Sequence, residues 1–290
     1  MTWFPLALLC AFSLATADAL TKKFLSDYTA QELLIVRFGF AAIVLAPFLW
    51  SQPLPAVPPA FWGWMVILAP LEILAMALYV LAIRDSPLSL TLPYLAFTPV
   101  FTTLTGFVVL GEQVSLRGFG GILLVTVGAY LLNVQHIRNN GEYRWLAPLR
   151  AVFRERGSRL MLAVAAIYSL TSVMGKAAMQ YTGPHVFGPF YFCLIGAIAV
   201  VVFSARNPGN IRVLWRRPGW HLMIGIMMAT MVLTHFISLA QVEAAYMIAV
   251  KRISLLFGIV YGALLFHEDR FGQNVLAGSL MVAGVALIVS

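Results

Sequence analysis

The sequence is divided into long apolar runs, each about the length that a helix needs to cross a lipid bilayer. A membrane-spanning helix takes about 20 predominantly apolar residues to cross the ~30 Å hydrocarbon core. The chain therefore predicts an all-α, polytopic membrane protein with ten transmembrane helices. Charges and Pro, Gly or polar clusters bound the ten runs at 3–21, 30–50, 61–83, 88–110, 117–134, 160–180, 184–204, 218–240, 244–266 and 271–289.

Composition excludes most other classes of protein. Of the 290 residues, 61% are hydrophobic and 10% are charged, and the mean hydropathy is +0.89, whereas soluble domains carry about 25% charged residues. Cys10 and Cys193 both lie inside apolar runs, so neither a disulfide framework nor metal-ligand spacing is present. We expect no cofactor, and we exclude a soluble enzyme, a disordered chain and a secreted disulfide scaffold.

The basic residues indicate an orientation in the membrane. Of the Lys and Arg residues that lie in connections between runs, all but Arg117 are in the odd-numbered connections. The positive-inside rule then places the odd connections in the cytoplasm and both termini outside, in the plasma (inner) membrane. The net charge of +8 is thus a topology signal, and no nucleic-acid partner is expected.

The two halves of the chain resemble each other. Because each half holds five runs, an odd number, the copies would cross the bilayer in opposite senses, and such inverted repeats place a binding site near the midplane. The predicted units are a first repeat at 1–136, a basic cytoplasmic connection at 137–158 and a second repeat at 159–290. The connection is either an amphipathic segment on an anionic membrane face or a solvated linker. At an offset of 156 the matches are Gly106 with Gly262, Glu112 with Glu268, Leu124 with Leu280 and Gly128 with Gly284.

The repeat resembles that of EamA-type carriers of the drug/metabolite transporter superfamily. The resemblance is carried by Leu110-Gly111-Glu112 at a helix end, by Pro99, by the early Arg37 and by Lys176 near a helix end. It implies a ten-helix carrier that works by alternating access. Leu255 replaces Pro99 in the second copy, so we expect an interrupted helix only in the first.

One carboxylate and one pair of cations lie deep in the runs, where a charge costs about 2.5–3.5 kcal/mol. Glu72, in the middle of 61–83, would pair with a cation, carry a coupling proton or bind a substrate ammonium; a structural ion pair is the alternative. Lys251 lies about 10 Å along its helix, and Arg252 points about 100° away. The two would hold an anionic group of the solute, and the alternative for Lys251 is snorkelling toward the nearer surface. The pair is similar to the phosphate-gripping pair of plastid phosphate translocators, although the fourth-helix lysine of that family is missing from Pro93-Tyr94-Leu95-Ala96.

Five further residues are candidates with open alternatives. Arg37 is a candidate ligand for a solute. Asp18 either takes part in coupling or pairs with Lys22 on one helix face, and His235 either titrates near neutral pH or is simply hydrogen-bonded. Tyr94 and Tyr246 either present hydroxyls to a solute or pack between helices.

Lys176 is expected to snorkel to the surface, and Glu243 to complement a helix dipole.

These features predict a secondary active transporter for a small polar metabolite, anionic or zwitterionic, driven by a proton gradient or by exchange. Its expected partners are the solute, the lipid bilayer and a proton or counter-solute, with the protein a monomer or homodimer. No enzyme is expected, because the chain has neither His-Glu-x-x-His nor Gly-x-Ser-x-Gly, and no Walker motif. The alternative is an intramembrane hydrolase of the rhomboid type.

Overall fold

The computed structural model describes residues 2–50, 56–85, 92–134, 138–139, 142–143, 155–206, 208–266 and 275–290. Within these ranges the chain forms eleven α-helices, two 3₁₀ helices and one pair of two-residue antiparallel strands, β1 (Arg138–Asn139) and β2 (Glu142–Tyr143). The 3₁₀ helices are Leu92–Phe97 and Pro208–Trp215. The α-helices are α1 (Trp3–Phe24), α2 (Ala30–Trp50), α3 (Pro59–Asp85), α4 (Thr98–Leu110), α5 (Leu116–Val134), α6 (Arg156–Met179), α7 (Pro184–Arg206), α8 (Pro218–Leu239), α9 (Ala244–Lys251), α10 (Ser254–Phe266) and α11 (Val275–Val289).

Eight segments of the described chain are long and apolar enough to cross a membrane. Two shorter apolar helices, Leu116–Leu132 and Val275–Val289, accompany them. Large apolar side chains point outward from these helices, and Val66 and Val108 are each 72% exposed, as a face in contact with lipid requires. The eight segments are Trp3–Phe24, Ala30–Leu49, Pro59–Tyr79, Leu92–Leu110, Arg156–Met179, Pro184–Ala205, Pro218–Leu239 and Ala244–Leu265.

Several predicted features lie outside the described residues. They include Glu268, which carries much of the repeat argument, the start of the tenth run at 271 and the start of the fourth run at 88. Most of the basic connection at 137–158 is also outside the described ranges.

Local sequence signals explain where the helices begin and end. Thr29 and Glu32 form a reciprocal capping box before α2: the Thr29 N–H donates to Glu32 Oε2 at 2.7 Å, and the Glu32 N–H donates to Thr29 Oγ1 at 3.3 Å. Gly111 follows α4 with φ of 68°, and Gly183 precedes α7 with φ of 79°. Both glycines adopt the left-handed backbone that other residues disfavour, so the chain turns sharply at these two points.

The helices of the two halves pack in exchanged pairs. Helix α1 packs on α8 while its repeat counterpart α6 packs on α3, and α4 packs on α6 while α10 packs on α1. Two further pairs, α2 with α7 and α5 with α11, join counterpart helices directly. An internal two-fold relation between the halves predicts this pattern of partners.

Two of the apolar segments are interrupted at equivalent points. Helices α4 and α10 begin at Thr98 and Ser254, and each has 13 residues; their starts are 156 positions apart, as in the repeat. The expectation that only the first copy is interrupted is therefore wrong. Proline breaks the first segment, whereas the second is broken by a tight turn in which the Arg252 N–H donates to the Ala249 oxygen and the Leu255 N–H to the Arg252 oxygen, each at 3.0 Å.

The described connections form two groups of contacts. The α1–α2 connection meets the α7–α8 connection, because Asp27 pairs with Arg216 at 3.1 Å and with Arg217 at 2.9 Å. The end of α4 meets the end of α6 through Glu112 and Lys176, 2.6 Å apart. Repeat counterparts, the α1–α2 and α6–α7 connections, therefore belong to different groups.

Glycines allow α5 and α11 to cross at very short range. A Cβ atom on Gly121 would lie 2.5 Å from the Gly284 carbonyl oxygen, and one on Gly284 would lie 2.6 Å from the Gly121 oxygen. The counterpart contact, Gly128 against the Ala277 oxygen, would be 2.6 Å. Small residues at these positions let the two backbones touch.

Gly121→Ala is expected to destabilise the protein by about 1–3 kcal/mol, because the added methyl group forces the two helices apart. Gly120→Ala is the matched control, since a Cβ there meets nothing within 4 Å. Thermal unfolding of both purified variants in detergent measures the difference. Equal melting temperatures would contradict the close crossing.

Candidate functional site

A cavity of about 520 Å³ lies among α1, α2, α3, α6, α8 and both interrupted segments. It extends from the α9–α10 break at Arg252 to Ala30, the first residue of α2. Much of the wall is apolar, including Leu14, Leu33 and Phe38. The polar lining residues come from five elements and are Asp18, Arg37, Tyr79, Tyr168, Arg252 and Ser254.

Two of the predicted residues meet in this cavity as an ion pair. Arg37 Nη1 lies 2.6 Å from Asp18 Oδ1, and Arg37 Nη2 donates to the Met228 sulfur at 3.4 Å. Asp18 thus has a cationic partner on α2, and the pair with Lys22 on its own helix that the spacing suggested stays a prediction. The ion pair with Arg37 leaves little net charge at this part of the wall.

Arg252 contributes a charge to the cavity that no carboxylate among the described residues balances. Its Nε is buried and has no hydrogen-bond partner in the structure, and its guanidinium makes no ion pair with the described residues. Tyr168, on α6, lines the same cavity. A partly buried guanidinium with free donors binds a carboxylate or phosphoryl group well, because its planar fork matches their oxygens.

Glu72 and Lys251 lie behind the cavity lining. The Tyr191 hydroxyl donates to Glu72 Oε2 at 3.3 Å, and the Thr171 side chain is a second hydrogen-bonding neighbour of this carboxylate. Lys251 is within electrostatic range of Glu72, Asp18 and Arg252, but its ammonium group forms no ion pair in the part of the chain described. The break in the helix thus separates the two adjacent cations, with Arg252 in the wall and Lys251 behind it.

His235 is buried near the same region without lining the cavity. Its Nδ1 has no hydrogen-bond partner, and its ring meets that of Phe236 edge-on at 4.9 Å. The interpretation of His235 as simply hydrogen-bonded is therefore not supported at Nδ1. Lys251 is an electrostatic neighbour of this ring.

Tyr94 and Tyr246 are placed away from the cavity lining. Tyr94 is 1% exposed and packs with Ala82, Met161 and Val164. The Tyr246 hydroxyl accepts the Ser115 N–H at 3.0 Å and lies 3.2 Å from Ser115 Oγ, just before α5. Both positions favour the packing alternative over contact with a solute.

The interpretation of Lys176 is wrong, whereas Glu243 does lie at a helix start and its interaction with the helix dipole stays a prediction. Lys176 does not snorkel, because its Nζ bonds Glu112 Oε1 at 2.6 Å and also donates to the Val242 oxygen. Glu243 makes no side-chain cap at the start of α9; instead the Ala244 N–H donates to Glu112 Oε2 at 2.9 Å. Glu112 therefore neutralises Lys176 and caps α9 at once, so it joins α4 of the first half to α6 and α9 of the second.

Sequence reasoning missed three polar residues of the cavity wall and the role of Glu112. Tyr79, Tyr168 and Ser254 line the cavity, yet isolated tyrosines and serines are common in apolar runs. A helical projection of each run alone could not identify them, because the inward face depends on which neighbours surround the helix.

Lys176→Met is expected to destabilise the protein by about 3 kcal/mol, because it leaves the largely buried Glu112 carboxylate without its counter-ion. The double variant Lys176→Met/Glu112→Gln should regain much of that loss, since the glutamine oxygen still accepts the Ala244 N–H. Thermal unfolding of the two single variants and the double variant measures the coupling. Additive losses would show that the two side chains act independently.

The chain matches a known protein family and resembles known proteins in sequence and in fold. The EamA-like transporter family matches this chain twice, over residues 1–134 and 156–290. A probable 4-amino-4-deoxy-L-arabinose-phosphoundecaprenol flippase subunit ArnE of Enterobacter sp. (strain 638) is 34% identical over 71 residues, which are 24% of this chain and 66% of that protein. A solved crystal structure covers 99% of this chain and 94% of its own, with a TM-score of 0.72 and 15% identity, a likeness of fold alone.

Proposed function

This chain belongs to the EamA-like transporter family, and we propose that it is a secondary active carrier that moves a small anionic metabolite by alternating access. The family and the apolar helices make it a multi-pass membrane transporter, and they point away from an enzyme. The anionic solute, the proton or exchange coupling and the mechanism are the proposal. The protein would act as a monomer or homodimer.

The partly buried guanidinium of Arg252 is the observation that carries this proposal. It lines a 520 Å³ cavity, has an unpartnered Nε and lies where a membrane segment is interrupted. In many transporters, interrupted helices form the solute site. A broken helix is tolerated in a bilayer only where protein or a wet cavity covers it, so an interruption often marks such a cavity. The name of the ArnE relative refers to a phosphorylated compound, which agrees with an anionic solute.

The contacts between the halves support an inverted repeat of ten membrane segments. The α1–α2 connection is joined to the α7–α8 connection by Asp27, whereas its counterpart after α6 belongs with Glu112 and Lys176. Counterpart connections in different groups are what opposite senses of insertion would produce. In such a carrier the two halves alternate around one central site.

In the described state, the cavity would open towards the cytoplasm. It reaches Ala30 beside the α1–α2 connection, and that connection would be cytoplasmic by the positive-inside rule. The other end is held by Glu112, Lys176 and the Ala244 N–H. Opening to the outside would then require these bonds to break.

Arg252→Gln is expected to weaken the binding of the transported anion about tenfold or more, because hydrogen bonds to a charged group contribute about 1.5–3 kcal/mol. Flux of organic acids into liposomes that contain only the purified protein measures the loss, together with anion-dependent thermal stabilisation. Lys251→Gln should also weaken binding, through loss of the nearby charge. Arg212→Gln is the matched control on an exposed arginine, and wild-type behaviour of both cavity-region variants would contradict the binding assignment.

Glu72 is proposed to carry the coupling proton, since it is the deep carboxylate without an ion pair among the described residues. Glu72→Gln should flatten the pH dependence of transport, because the amide neither gains nor releases a proton. Flux measured from pH 5 to 8 tests this, with Glu243→Gln as the control. A pH profile unchanged from that of the wild type would indicate a structural role for Glu72.

A cysteine placed at Ser290, in a protein whose Cys10 and Cys193 are replaced by alanine, should react with an impermeant thiol reagent added outside intact cells. This outcome follows from the basic odd connections, which hold both termini outside. Arg212→Cys, in the connection between α7 and α8, should react only after the cells are opened. The reverse pattern would refute the proposed orientation.

A further inference from the structure

We infer that the solute is an amphiphilic organic anion, with one acidic group on an apolar body of roughly aromatic-ring size or larger and no need for an ammonium group. This inference rests on the proposed carrier function and narrows its substrate class. The combination of an unpartnered Arg252 with an apolar cavity wall carries it.

The wall of the cavity is unsuited to a solute that is polar all round. Six of its side chains, from five separate elements, are apolar: Leu14, Leu33, Phe38, Met76, Leu95 and Leu255. Sugar-like hydroxyl groups against such a surface would lose their bonds to water without replacement. An apolar body instead gains by leaving water, in proportion to the area buried.

The ionised groups of the wall accommodate one negative charge. Asp18 is the only carboxylate among the described lining residues, and Arg37 forms an ion pair with it at 2.6 Å. Arg252 is then the cation left over. A bound group with one negative charge would neutralise it, and either a carboxylate or a phosphoryl group would fit its fork of donors.

Among the described residues of this wall, no unpaired carboxylate is available to an ammonium group. Glu72 is not a lining residue, and the Tyr191 hydroxyl bonds its carboxylate at 3.3 Å. A zwitterion would therefore bring a positive charge into a cavity whose one carboxylate is already paired and whose remaining group is a cation. Binding of an amino acid is disfavoured relative to the acid that lacks the amine.

The size of the cavity supports a body larger than that of the simplest organic acids. At about 520 Å³ it falls within the 300–1,000 Å³ range of pockets that hold drug-sized ligands, which are typically apolar with a few placed polar groups. Propionate or lactate would leave most of the apolar wall without a contact. The fit is better for an aryl or medium-chain alkyl acid.

Four related compounds test the inference on the purified full-length protein. 3-Phenylpropionate carries both the charge and the body, phenylalanine adds the ammonium, 3-phenylpropanol removes the charge and propionate removes the body. Thermal stabilisation in detergent gives the half-saturating concentration of each. We expect that of 3-phenylpropionate to be at least tenfold lower than those of the other three.

The Arg252→Gln variant tests whether Arg252 is the residue that recognises the negative charge of the solute. It should bind 3-phenylpropionate no better than 3-phenylpropanol, while Arg212→Gln keeps the wild-type preference. Phenyl phosphate and octanoate, run beside the series, distinguish a phosphoryl head from a carboxylate and an alkyl body from an aryl body; binding of either supports the same class.

Two results would overturn the inference. One is phenylalanine or propionate binding as tightly as 3-phenylpropionate, and the other is no stabilisation by 3-phenylpropionate, octanoate or phenyl phosphate. Flux measurements distinguish a wrong substrate class from a wrong carrier function. Arg252-dependent uptake of small polar acids into liposomes would reject the amphiphilic class while upholding the carrier, whereas uptake of no solute from either class would reject both.

Discussion

The structure depends on the rule that backbone N–H and C=O groups in lipid must be bonded within the protein. Unbroken helices satisfy that rule alone, but the segments around Phe97 and Arg252 do not, so each needs cover from neighbouring helices or from a wet cavity. Helix α6 packs on the first interrupted segment, and α1 on the second. The cavity lies where the two interruptions approach each other, and the need to cover them explains why a bundle of apolar helices leaves this space.

The charged side chains around Glu112 are paired, whereas the cavity wall keeps one cation, Arg252, without a counter-ion among the described residues. Glu112 satisfies Lys176 and the start of α9 together, and Asp18 satisfies Arg37. Arg252 has no such carboxylate in the described chain. Because withdrawing a charge from water without a counter-ion is costly, the presence of this partly buried arginine in the wall is better explained by a ligand that supplies the opposite charge than by stability.

The candidate site was only partly predictable from the sequence. Asp18, Arg37 and Arg252 were identified because charges in an apolar run are conspicuous, and all three line the cavity. Tyr94 and Tyr246 were chosen by proximity to prolines and to Lys251, yet their rings pack elsewhere, since a tyrosine faces whichever side its helix turns inward. The bond between Lys176 and Glu112 joins residues 64 positions apart, and no local pattern indicates such a pairing.

The sequence by itself determined the class of protein, the apolar segments and the duplication, because hydropathy and spacing are properties of each stretch of chain. It also indicated that charge inside the membrane marks the functional region. Only the tertiary structure decided that the ninth segment breaks at Arg252 without a proline, that Arg252 rather than Lys251 lines the cavity, and that Asp18 is paired with Arg37. Those outcomes depend on how one helix is rotated and packed against several others, which is information that no single segment contains.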